Sequence, residues 1–206
     1  MVYAVNPMPR PRSLTHEDIA KAALKVIDRD GLAALAMRAV AVELGMGTMS
    51  LYRYVNDRAE LEVHVVDLVL STVDLKPPRK PWQKQIVTLA ERVRDAIKAH
   101  PEVVQLAIQH RQDSVNSLRW GEAILEILTK AGVVNRVIAL RAIIAYVTGA
   151  IQLDYRGPLH GRGTDIIATR DDFPLLKETA AQARMVAPMD EFRQGLEALL
   201  QGLSPL

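Results

Sequence analysis

The chain has 206 residues, enough for one or two domains with a real hydrophobic core, and its 26 basic and 24 acidic residues leave a net charge of only +2. It has no cysteine, which excludes disulfides, thiolate metal sites and cysteine nucleophiles and suits a reducing cytoplasm. The charge balance also excludes a globally basic protein, so any nucleic-acid contact must come from locally placed cations.

Residues 1–14 are polar and punctuated by proline and lack the apolar run of a signal peptide, so they are expected to form a flexible arm. Arg10 and Arg12, flanked by Pro9 and Pro11, could reach a minor groove from it. Thr15-His16-Glu17-Asp18 then opens a helix to about Arg29 with a capping-box pattern. Its apolar residues Ile19, Ala22, Ala23, Val26 and Ile27 share one helical face, and Gly31 ends it. Short helices follow near 37–44 and 48–55, separated only by the turn around Gly45, and a fourth near 58–73 presents Leu61, Val65, Leu68 and Val69.

Lys76-Pro77-Pro78-Arg79-Lys80-Pro81 cannot lie inside a helix and marks a linker over 74–81. Beyond it, helices are predicted near 82–99, 101–111, 114–130, 135–155, 174–185 and 188–202, with 156–172 read as a loop because of Gly157, Pro158, Gly161 and Gly163. The uncharged run from 142 to 153 is too short to span a bilayer and reads as a buried helix. The fold class is therefore all-α, with about nine or ten helices. A three-helix helix-turn-helix domain over 15–73 precedes a larger helical bundle over 82–206.

Residues 35–58 carry the functional signal. Two short helices meet at Leu44-Gly45-Met46-Gly47, the geometry of a helix-turn-helix, with Val40, Leu44, Met46, Leu51 and Val55 as its small core. Thr48, Met49, Ser50, Tyr52, Arg53 and Tyr54 are left facing outward. Small hydroxyls at a helix start suit base edges in a major groove, whereas tyrosine hydroxyls and arginines suit phosphate oxygens.

The stretch resembles the TetR family of one-component bacterial regulators. The matching features are Asp30-Gly31-Leu32, Met37-Arg38, Ala41 with Leu44-Gly45, Ser50-Leu51-Tyr52-Arg53-Tyr54-Val55, and Asn56-Asp57-Arg58 with Leu61. Pro81-Trp82, His100-Pro101 and Glu191-Phe192 with Gly195-Leu196 and Leu199-Leu200 extend the likeness into one C-terminal subgroup. The resemblance implies a homodimer on pseudo-palindromic double-stranded operator DNA, released when a small effector enters the larger domain. It places Arg38 and Arg58 on phosphates, Thr48, Met49 and Ser50 at bases, and Tyr52 and Tyr54 against backbone or thymine methyls. Ala36 stands where the family usually has a Ser or Thr N-cap, a bond worth about 1 kcal/mol. Ala39 replaces a common basic residue and Tyr54 a frequent histidine, changes that bear on affinity and sequence preference.

In the larger domain, Gln105, Gln109, His110, Trp120, Tyr146, Gly149 and Gln152 are the candidate effector contacts, the few polar, aromatic or space-making positions on otherwise apolar helices. The apolar lining points to a largely hydrophobic effector. The helix near 135–155 and the last helix, through Phe192, Leu196 and Leu199, are expected to form a four-helix dimer interface. No metal, cofactor or catalytic residue is expected: the five histidines lack ligand spacing, and no phosphate loop, nucleophile elbow or paired-carboxylate pattern occurs. The competing readings are a helical small-molecule-binding protein, or a protein-interaction module, that merely retains a helix-turn-helix. No membrane partner is expected.

Overall fold

The computed structural model describes residues 14–156 and 162–203, so nearly all of the expected arm lies outside the described residues. Every regular element among them is helical: α1 His16–Asp30, α2 Met37–Glu43, α3 Thr48–Leu51, α4 Arg58–Ser71, α5 Trp82–Lys98, α6 Val104–Gln109, α7 Val115–Lys130, α8 Arg136–Arg156, α9 Arg162–Ala168, α10 Pro174–Ala183 and α11 Pro188–Gln201, with single 3-10 turns at Leu32–Ala34 and Pro101–Val103. One apolar core runs without a break from Ile19 and Val26 of α1, through Leu61 and Val65 of α4, to Ile86, Leu89, Ile124, Ile143 and Leu196.

Local chemistry sets the boundaries. The Asp18 amide donates to Thr15 Oγ1 at 3.1 Å while the Asp18 carboxylate accepts from the Thr15 amide at 3.0 Å, a complete capping box. Gly45 takes φ +66°, and the pair Gly45 N→Val42 O and Met46 N→Ala41 O closes α2 in a Schellman turn that aims the chain directly into α3. Ala36 caps α2 with no side-chain bond. Asp57 caps α4 by accepting from the Glu60 amide at 2.9 Å.

The linker is fastened along its length. Arg92 of α5 donates to the carbonyls of Asp74 at 2.6 Å and Lys76 at 2.8 Å, and Gln85 donates to Lys80 O at 2.8 Å. The four N-terminal helices are thus held directly against the bundle.

Two expectations change. Part of the segment read as a loop over 156–172 is α9, whose helix the flanking glycines concealed. α3 also stops at Leu51, with turns rather than α-helix carrying the chain through Tyr54. In the 136–155 stretch, α8 is long and apolar enough to cross a membrane by length and composition alone. Its inner face instead packs on α5, α6, α7 and α11. There Arg94 of α5, almost fully buried, pairs with Asp154 of α8 and lies 5.2 Å from the centroid of the Phe192 ring.

Candidate nucleic-acid interface and effector cavity

The helix-turn-helix buries Met37, Val40, Ala41, Leu51 and Val55 inward, which forces the intervening positions outward. Arg38, Met49, Tyr52, Arg53 and Tyr54 are exposed and Thr48 and Ser50 half-buried, Met49 being the most open at 80%. Neither Arg38 nor Arg53 has a carboxylate partner among the ion pairs of the described residues, so both are available to an external anion. His16 Nε2 lies 3.1 Å from the Tyr54 carbonyl, and its ring stacks on His64 at 4.6 Å, tying α1, the end of the recognition turn and α4 together. Burial is the main cause holding the His64 pKa below its ordinary 6.5, with the neighbouring His16 contributing.

Arg58 differs from the other two arginines. Its Nε donates to Glu62 Oε1 at 2.7 Å, within α4, while Glu62 Oε2 lies 2.9 Å from His110 Nε2 at the end of α6. Glu62 and His110 are both buried, at 7% and 6% exposure. A buried carboxylate is thus shared between a half-exposed guanidinium at the start of α4 and an imidazole on the bundle, the latter a pairing between residues 48 apart that no local spacing could announce. A second stitch lies one turn further along. Asp67 accepts from Ser114 Oγ at 2.6 Å and from the Asn116 amide at 3.0 Å, and Asn116 Nδ2 donates to Asp67 O at 2.9 Å. Segment 110–116, between α6 and α7, is therefore riveted to α4.

Arg111 and Gln112 of the same segment border an apolar cavity. This space, about 420 Å³, lies between α5, α6, α7 and α8, with walls that include Val93, Ile97, Val104, Trp120, Ile144 and Val147. Leu70 of α4 closes one side, and Arg111 and Gln112 stand at the edge. Apolar walls with a few polar groups are the usual make-up of a small-molecule site. Of the residues singled out from sequence, Trp120 lines this cavity, its indole N–H donating to the Leu89 carbonyl at 3.2 Å.

The others are elsewhere. His110 is turned to Glu62 and away from the cavity, because its carboxylate partner sits on α4. Gln105, Gln109 and Gln152 line a separate cleft with Tyr155, on the side of α6 adjoining its apolar wall, with Val104 and Ile108 bordering both spaces. Tyr146 and Gly149 border a third hollow against α11, where the Tyr146 hydroxyl donates to the Phe192 carbonyl at 3.0 Å. Gly149 borders that third hollow and is not among the residues of the α5–α8 cavity, so it makes no room there. Gly195 is the glycine that a close approach demands: any side chain there would run into the Tyr146 phenol ring.

Of the residues expected at a dimer contact, Phe192 and Leu196 are buried within their own chain, against α5 and α8, and Leu199 is partly buried on the same core. The apolar residues left open are on the outer side of α8 (Val137, Ile138, Leu153) and on α10 (Leu175, Leu176).

The Tetracyclin repressor-like, C-terminal domain family matches residues 76–206. The chain is 30% identical to the HTH-type transcriptional repressor DrrR1 of Streptomyces coeruleorubidus, over 96% of this chain and 80% of that one. The chain belongs to the TetR family. Among solved structures, ActR of Streptomyces coelicolor in complex with actinorhodin aligns with a TM-score of 0.77 at 27% identity, over 93% of this chain and 97% of that one. BioQ with its double-stranded DNA operator aligns with a TM-score of 0.68 at 25% identity, over 93% and 99%. TetR-family proteins are transcriptional regulators, and the all-helical arrangement here is the fold of that family. Among the described residues, no group of three or more His, Asp or Glu side chains is placed to hold a metal ion.

Proposed function

We propose that this TetR-family regulator holds operator DNA as a homodimer, through α2 and α3, and releases it when a hydrophobic small molecule enters the α5–α8 cavity. The observation that carries this reading is the double stitch between the cavity rim and α4. A ligand shifts an equilibrium only through differential contacts with the two states. A molecule entering this cavity touches Leu70 of α4 directly and segment 110–116, which Glu62 and Asp67 bind to α4. α4 in turn packs along α1 and bears Arg58 at its DNA-side end. Any adjustment of α6 is therefore delivered to the DNA-reading end as a movement of α4, with no free hinge at the anchored linker to absorb it.

ActR is known with actinorhodin bound and BioQ with its operator bound, and this chain shares the fold of both. By that likeness it works on a two-fold symmetric site with a cytoplasmic pool of effector, and it carries out no catalysis. The exposed apolar residues of α8, Val137, Ile138 and Leu153, belong to the surface a second copy would cover, beside α11. Two recognition elements would then face major grooves about 34–36 Å apart or a little further.

The test is selection from a pool of random double-stranded DNA by the purified chain, with sedimentation of the complex. Enrichment of an inverted repeat bound by two chains is expected. Recovery of no sequence above background, or binding by a lone monomer, would overturn the reading.

A further inference from the structure

Whatever fills the α5–α8 cavity must satisfy its rim, and the rim is asymmetric in charge. Among the residues lining it, Arg111 is the one cation and Glu122 the one anion, set over an apolar floor that includes Val93, Ile97, Trp120 and Ile144. Both charges stand exposed at the rim. Glu122 makes no ion pair among the described residues, and Arg119, one turn before it on α7, donates instead to Asn116 Oδ1 at 3.1 Å. Arg111 makes only a long bond, 3.4 Å, to the Ile108 carbonyl. The carboxylate nearest to it in sequence, Asp113, is directed at His110 Nδ1, 3.6 Å away. Arg111 is thus a guanidinium at the edge of an apolar cavity without a carboxylate partner, the arrangement that favours bidentate capture of a carboxylate or a similarly planar acid.

Resting on the reading of this cavity as the effector site, we propose that its ligands are monoanionic amphipaths. A flat or branched apolar body fills the space beside Trp120, and one acid group pairs with Arg111. Glu122 disfavours a second negative charge at the opposite edge. Because Arg111 adjoins His110, an acid drawn onto the guanidinium pulls on the residue that Glu62 holds, so ligand recognition and release of α4 share one segment.

The experiment uses three probes with the same apolar body: 1-pyrenebutyrate, 1-pyrenebutanol and 1-pyrenemethylamine. Binding to the full chain is read by anisotropy of the pyrene emission, in wild type, Arg111→Gln, Glu122→Gln and Gly121→Phe. Gly121 lines the cavity, and a Cβ there meets nothing within 4 Å, so the phenylalanine can grow into the space without displacing the backbone. The acid is expected to bind about ten-fold tighter than the alcohol, the size of one charge-assisted hydrogen bond at a partly open site. Arg111→Gln should shrink that ratio to roughly two-fold or less, and Gly121→Phe should weaken all three probes. Equal affinity of acid and alcohol for wild type would overturn the acid preference, as would tightest binding by the amine with loss in Glu122→Gln. Binding of all three probes with no effect of Gly121→Phe would instead overturn the assignment of this cavity.

Discussion

Replacing Glu62 by glutamine should uncouple the effector from the operator while strengthening the hold on DNA. In the structure the Glu62 carboxylate takes Arg58 Nε at 2.7 Å with one oxygen and meets His110 at 2.9 Å with the other. Hydrogen bonds to charged groups contribute about 1.5–3 kcal/mol each when buried, and the Glu62–His110 contact is buried on both sides. The Arg58 side chain is 49% exposed, so its share falls toward the ~0.2–1 kcal/mol of a surface pair. A Glu62→Ala/His110→Ala double-mutant cycle in urea should therefore give a coupling of about 1.5–3 kcal/mol, and the matching Glu62/Arg58 cycle under about 1 kcal/mol. Glu62→Gln removes the negative charge that draws Arg58 inward. With the guanidinium free for a phosphate, operator affinity at low salt should rise, and the slope of log K against log salt should steepen by about one contact. The weakened link to His110 should at the same time reduce effector-driven release, which in coupled systems amounts to about 5–150-fold. Anisotropy of a labelled operator, across a salt series with and without effector, reads both quantities. Unchanged salt slope and unchanged release in Glu62→Gln, with both cycles within about 0.5 kcal/mol of zero, would refute the reasoning.

Arg38→Ala and Arg53→Ala should weaken operator and random DNA alike and each flatten the salt slope by about one contact, whereas Thr48→Ala or Ser50→Ala should change sequence preference by about 1–3 kcal/mol; competition binding separates the two patterns. Gly195→Ala should lower Tm, although helix propensity alone predicts a gain of about 1 kcal/mol, and the loss should shrink in a Tyr146→Leu background that lacks the colliding ring. His64 is held below 6.5 when folded, so the unfolded chain binds this proton more readily. Stability should be fully present above about pH 6.5 and fall as the pH drops through that value, and His64→Phe should show a shallower decline of Tm between about pH 7.5 and 5.5.

Local chemistry made the DNA-reading half legible from sequence. The Thr15–Asp18 capping box, the positive φ at Gly45 and the one-sided burial of Val40, Leu51 and Val55 are all encoded within a few residues of each other, and the structure contains each of them. The bundle was harder to read because α8 is apolar around most of its circumference. Periodicity does not say which side faces which hollow: Tyr146, Gly149 and Gln152 border two other clefts, while Ile144 and Val147 line the α5–α8 space. α11 shows the opposite difficulty. Its single apolar stripe was clear, but a stripe does not reveal whether it covers its own chain or a second one, and here Phe192 and Leu196 cover their own. The pairs Glu62–His110 and Asp67–Ser114 join residues far apart in sequence, and only tertiary packing reveals them.

The central claim is that occupation of the α5–α8 cavity is what loosens the grip on DNA. Its most direct test is operator release from the Gly121→Phe chain, titrated with a compound that releases the wild-type protein. The account predicts that Gly121→Phe binds operator with wild-type affinity, melts within a few degrees of wild type and stays on DNA at effector concentrations that strip the wild type. A folded Gly121→Phe chain that leaves the operator at the wild-type effector concentration would contradict it.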